Sequence, residues 1–95
     1  MIKHIVSFKL IKEHKNKASI LKKALDELPS KIQEIKAFEV GINISTASSA
    51  YDLVLVSEFS SVEELNIYRE HPEHIMVVEL IALYKTESMV VDYEI

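Results

Sequence analysis

The sequence predicts an α+β fold with the element order β-α-β-β-α-β, a ferredoxin-like split βαβ. Three observations carry that prediction. Strand-like segments alternate apolar and polar residues with period two, and two stretches between them have the period of helices. The third strand is apolar on both faces, which agrees with a central strand covered on both sides. The composition is core-rich, with 48% hydrophobic residues, one glycine and two prolines, and residues 1–95 read as one domain.

Ile2 to Ile11 reads as the first strand, rich in β-branched residues. Its even positions, Ile2, His4, Val6, Phe8 and Leu10, form an apolar face that should meet the helices, with His4 as the exception. Asn16 to Leu28 reads as a helix, because Ala18, Leu21, Leu25 and Leu28 recur three and four apart with lysines opposite. Pro29 interrupts it, lacking a donor and crowding the preceding turn. Ile32 and Ile35 keep the spacing and suggest a short second helical piece.

Ala37 to Ile44 reads as the second strand, apolar on one side through Phe38, Val40, Ile42 and Ile44, as expected near a sheet edge. Ser45 to Ala50 is a loop of small residues. Tyr51 to Phe59 is the third strand, with Leu53 and Leu55 facing one way and Val54 and Val56 the other. Ser60 and Ser61 offer capping boxes with Glu63 and Glu64 for a helix ending near Glu70. Pro72 suits the first turn of a further helix to about Tyr84. Thr86 to Glu94 is the last strand. The topology makes the first and third strands central.

A chain of this size buries only about 60–65% of its unfolded surface. It has little left with which to cover the second apolar face of the third strand, so a homodimer is expected. The charge, 11 Lys and Arg against 15 Asp and Glu, is −4, and the pI is near 5.5. With no basic patch, nucleic acid is not an expected partner. The chain has no cysteine, hence no disulfide, thiolate metal site or cysteine nucleophile. No signal peptide is visible and no apolar run is long enough to span a bilayer, so a cytoplasmic protein without a membrane partner is expected. The single glycine excludes a phosphate loop, a dinucleotide fingerprint and a nucleophile elbow.

The chemistry concentrates in Tyr68-Arg69-Glu70-His71-Pro72-Glu73-His74. A tyrosine and a histidine held together can move protons on a carbonyl compound without a cofactor. His74 falls in the first turn of a helix, whose positive end favours a neutral imidazole. The same residues also read as caps or surface groups, with His4 as a satisfied buried histidine. His71, His74 and Asp92 imitate a two-histidine, one-carboxylate metal set, but spacing of three across a proline is unlike the i, i+4 pair of helical zinc sites.

Taken together, these residues resemble the stress-responsive dimeric A/B-barrel (Dabb) domain family. The likeness runs along essentially the whole chain. It is carried by Lys3-His4 before an alternating strand, Leu28-Pro29 with Ile32 before Glu39-Val40-Gly41, and Tyr51-Asp52-Leu53-Val54-Leu55 with Glu58-Phe59. Tyr68 with His71-Pro72-Glu73-His74, and Val91-Asp92-Tyr93, complete it. The resemblance implies a homodimer whose two sheets close into a dimeric α/β barrel with the helices outside.

The family includes plant stress proteins without a clear enzymatic role and a plant polyketide cyclase that performs a cofactor-free aldol condensation. The cyclase's catalytic tyrosine and histidine match Tyr68 and His74, its strand-one histidine matches His4, and the aspartate beside its catalytic histidine matches Asp92. These four are therefore the candidate catalytic residues. His74 is the expected general base, Asp92 its tautomer-fixing carboxylate, Tyr68 the donor to a developing enolate, and His4 a further polar lining group. Ile75-Met76-Val77-Val78 replaces the cyclase's glycine and aromatic residues, so a smaller or differently shaped pocket is expected.

Two functions follow. One is a cofactor-independent enzyme doing cyclisation or isomerisation on a small carbonyl compound. The other is a non-catalytic, stress-related or small-ligand-binding homodimer.

Overall fold

In a computed structural model describing residues 1–95, the chain runs β1 (Ile2–Leu10), α1 (Ala18–Asp26), β2 (Ala37–Ile42), β3 (Leu53–Phe59), α2 (Val62–Glu70), α3 (Pro72–Ala82) and β4 (Lys85–Glu94). The strands form one sheet in the order β2-β3-β1-β4, each neighbouring pair antiparallel. This is the ferredoxin-like α+β architecture, with β1 and β3 central and β2 and β4 at the edges.

Period-two alternation decides what meets the helices. Ile2, His4, Val6 and Leu10 of β1 are buried, as are Leu53, Leu55, Ser57 and Phe59 of β3. Register aligns them, with Val6 opposite Leu55 and His4 opposite Ser57. The helical layer closes over this face with Leu21 and Leu25 of α1, Leu65 and Tyr68 of α2 and Ile81 of α3. Each such apolar side chain contributes roughly 1.5–3 kcal/mol through burial. Ser57, the buried polar residue of β3, donates its hydroxyl to the His4 carbonyl at 3.2 Å.

The opposite face has no cover within the chain. Ile5, Val54 and Val56 are half-buried there, and Met89, Val91 and Tyr93 of β4 are 50%, 50% and 44% exposed.

Several boundaries differ from the sequence reading. The first helix begins at Ala18, because Lys12–Lys17 winds as a tighter 3₁₀ turn with His14 off helical geometry. It ends at Asp26, and Leu28–Ser30 forms a single 3₁₀ turn containing Pro29. Pro29 cannot continue an α-helical ladder. The expected second helical piece is therefore only this turn, and Ile32, 1% exposed, reaches the core from non-helical backbone beyond it. β2 stops at Ile42, leaving Ile44 98% exposed. β3 starts at Leu53, just after Asp52, whose backbone still bonds to Phe8 and Asn43 and whose carboxylate is engaged as well. The carboxylate accepts from the Leu10 amide at 2.7 Å and from Lys15 Nζ at 2.8 Å. No helix is long and apolar enough to cross a membrane.

Capping fixes the segment that matters for function. Ser61 accepts from the Glu64 amide at 3.2 Å and starts α2. Pro72 forces His71 into an extended conformation (φ −65°, ψ 134°), which ends α2. The same proline occupies the first turn of α3, where its missing N–H costs nothing. Tyr68 and His74 are thus held on two helices meeting at a sharp corner.

Candidate functional site

That corner stands over the sheet and encloses a cavity of about 350 Å³. β1 supplies His4, Val6 and Phe8; α2 supplies Tyr68 and Arg69; α3 supplies His74, Val77, Val78 and Ile81; Lys85, Ser88 and Val90 of β4 form the remaining wall with Leu25 and Leu55. The lining is mainly apolar, with His4, Tyr68, Arg69 and His74 near the corner and Lys85 and Ser88 on β4.

Tyr68 lies in the last turn of α2 and is fully buried. Its ring centroid is 4.9 Å from that of Phe59 and 4.3 Å from that of His74, and His4 approaches edge-on at 6.0 Å. Its hydroxyl has no hydrogen-bond partner. Buried polar atoms are nearly always paired, so this one is an exception that costs stability. Burial also pushes the phenol pKa well above its ordinary value of 10.0, so it remains a protonated donor.

His74 occupies the first turn of α3. Its Nδ1 lies 3.0 Å from the Arg69 carbonyl oxygen. A carbonyl only accepts, so Nδ1 carries the hydrogen and Nε2 is left as the basic nitrogen. Burial lowers the pKa below the ordinary 6.5, the bond to the Arg69 carbonyl opposes the shift, and electrostatic interactions with His4, Arg69 and His71 add to it. The neutral imidazole expected from the helix-start position is supported here mainly by desolvation.

His4 points from the centre of the sheet and is 5% exposed. Its Nδ1 is bonded to the Asp92 Oδ1, and the Arg69 guanidinium binds the other carboxylate oxygen. This corrects one expectation: Asp92 supports His4, not His74. The cause is strand register, which places His4 directly opposite Asp92 on the same face of the β1–β4 pair. Asp92 does not line the cavity; it lies behind His4, in a separate hollow with Arg69, Leu65 and Val62. Of the four candidates, His4, Tyr68 and His74 share the cavity and Asp92 orients one of them.

Arg69 was not singled out from the sequence. Nothing in its local pattern distinguishes it from a solvent-facing cation, and its role depends on β4 arriving beside α2. His71 is a cap: its Nδ1 accepts from the Glu73 amide at 3.1 Å. His71, His74 and Asp92 are each engaged with different partners, and no group of three histidine or carboxylate side chains has the arrangement of a metal centre.

The fold and this corner define a ferredoxin-like domain with a sheet-to-helix cavity holding a phenol and two imidazoles. The chain belongs to the Stress responsive A/B Barrel Domain family (Dabb), whose profile spans residues 2–95. It is 30% identical over 97 residues to the stress-response A/B barrel domain-containing protein DABB1 of Arabidopsis thaliana, covering 98% of this chain and 46% of that protein. The chain thus spans about half the length of that curated relative. Among solved structures, it is similar to a dimeric protein with a ferredoxin-like fold from Bacteroides fragilis, with a TM-score of 0.90 and 35% identity over 99% of this chain and 95% of that one. A hydroxynitrile lyase from Passiflora edulis superposes with a TM-score of 0.85 over 99% and 92% of the two chains; at 16% identity, this shows the shared fold alone.

Proposed function

We propose that this Dabb domain is a homodimeric, cofactor-independent enzyme that carries out acid/base chemistry, cyclisation or isomerisation, on a small carbonyl compound. Residues 1–95 act as one cytoplasmic domain in this reading. The observation that carries the chemistry is the unpartnered, buried hydroxyl of Tyr68 beside a neutral His74 whose Nε2 is free. Such a hydroxyl suits an oxygen that arrives with the substrate.

The steps balance without a cofactor. His74 Nε2 takes a proton from the carbon next to the carbonyl, and the C–H electron pair moves into an enolate. Tyr68 donates to the enolate oxygen, a bond that strengthens as charge develops and so lowers the barrier rather than merely binding substrate. The enolate then attacks a second carbonyl or is reprotonated elsewhere, with His4, oriented by Asp92, available to exchange the second proton.

The dimer is supported by the uncovered sheet face, with Val54, Val56, Met89 and Val91, and by the dimeric relative from Bacteroides fragilis. A largely apolar cavity also suits a non-catalytic small-ligand binder, and one assay separates the two. The protein is incubated in D₂O with enolisable ketones such as acetylacetone and cyclohexanone, and α-hydrogen exchange is followed by NMR. The enzyme reading predicts exchange above the buffer rate that is lost in His74→Ala. Binding without accelerated exchange across the panel would leave the passive ligand binder.

A further inference from the structure

The cavity's charge runs against that of the chain. The sequence carries −4 overall, yet no aspartate or glutamate lines the cavity, and its charged residues apart from histidine are Arg69 and Lys85. Arg69 is already paired with Asp92. Lys85 is not neutralised: its ammonium donates to the Ser88 hydroxyl at 3.2 Å, and it takes part in none of the chain's ion pairs.

Lys85 reaches this wall through a strand irregularity. Lys85 and Ser88 are three positions apart and in a regular strand would face opposite ways. In the β1–β4 ladder, Phe8 pairs with Ser88, Lys9 with Glu87, and Leu10 with Lys85, so Thr86 is an extra residue at a bulge. The Thr86 hydroxyl donates to the Lys9 carbonyl at 3.3 Å and ties the bulge down. The bulge turns Lys85 back to the helix-covered side, a common use of such irregularities beside binding sites. Along β4, Ser88 is four residues from Asp92, about 13 Å. Between the two ends the wall is apolar, with Val6, Leu55 and Val90 on the sheet and Val77 and Ile81 above.

We infer that the cavity takes an amphipathic anion: an apolar chain or ring whose carboxylate rests on Lys85 and Ser88, and whose reacting carbonyl reaches Tyr68 and His74. The carbonyl end rests on the function proposed above; the carboxylate end rests on the bulge and the unpaired ammonium. A carboxylate accepts charge-assisted hydrogen bonds from both groups, and an uncharged analogue of the same shape gains much less.

The test compares octanoate with octanamide by NMR titration of the intact protein. Octanoate is expected to bind at least about tenfold more tightly, the usual worth of a charge-assisted bond, with the Lys85, Ser88 and Tyr68 resonances moving. Lys85→Met, which keeps the stem and removes the charge, should reduce octanoate to the level of octanamide and leave octanamide binding unchanged. Lys85→Arg should retain the preference. Equal binding of the two probes by the native protein, no binding of either, or a preference that survives in Lys85→Met would overturn the inference. The exchange assay with uncharged ketones stands apart. Exchange without an anion preference removes this inference alone, and an anion preference without exchange removes the catalytic reading alone.

Discussion

On the helix-covered side of β3, Leu53, Leu55 and Phe59 are 2%, 2% and 0% exposed; one residue further along, Val54 and Val56 stand on the other side with nothing over them but each other's neighbours. Both faces are apolar and both belong to the same strand. The first is completed by the chain's own helices and is left with one small deficit, a hydroxyl without a partner. The second lacks an entire layer. A missing partner the size of a carbonyl oxygen points to a ligand, whereas a missing sheet-sized cover points to a protein surface.

Adjacent substitutions break that comparison most sharply. Leu55→Asp puts an unpaired carboxylate in the core, at a cost of several kcal/mol, and should abolish cooperative folding by circular dichroism. Val56→Asp places the same charge on the uncovered face. It should keep the helical signal but yield a monomer by light scattering. A dimeric Val56→Asp protein with an unchanged melting curve would show that this face is not the seam.

The next effect belongs to the site. His74→Ala should slow α-hydrogen exchange by about 10²–10⁴-fold, the range for a positioned proton-transfer group, while the chain still folds. Asp92→Asn should leave His74 bonded to the Arg69 carbonyl and act on His4 instead. Its loss of turnover should be smaller than that of His74→Ala, and NMR should show the His4 ring, not the His74 ring, changing tautomer. A His74 ring that responds to Asp92→Asn would restore the pairing expected from sequence.

The smallest expected effect is on pH dependence. Since burial lowers the His74 pKa below 6.5, the unfolded chain binds the extra proton first as pH falls. The stability linked to this group is complete above 6.5 and declines as pH drops from there to the lowered native value. Exchange should fall through the native value in the same direction, because only neutral His74 accepts a proton. Both dependences should disappear in His74→Ala, as followed by pH-dependent melting and exchange rates.

How far the sequence could lead depended on whether a feature was local. The strands and the central place of β1 and β3 were legible because period-two alternation and a doubly apolar third strand are written in consecutive residues. Tyr68 and His74 were legible as a pair because Pro72 sets a helix break between them. The Asp92–His4 bond was not, since it depends on register between residues 88 positions apart. The bulge at Thr86 was equally hidden, and without it Lys85 reads as an ordinary surface lysine. The short 3₁₀ turns around α1 share the apolar spacing of a helix, so pattern alone lengthened that element.

The most direct test of the central claim is Tyr68→Phe, measured for both melting and α-hydrogen exchange. The substitution keeps the ring against Phe59 and His74 and removes only the orphaned hydroxyl. Relief of a buried unsatisfied group is worth about 1–3 kcal/mol, so the variant should melt at the same or a higher temperature while exchange slows. The hydroxyl is thus held at a cost to the fold because turnover needs it. A variant that exchanges as fast as the native protein would contradict it.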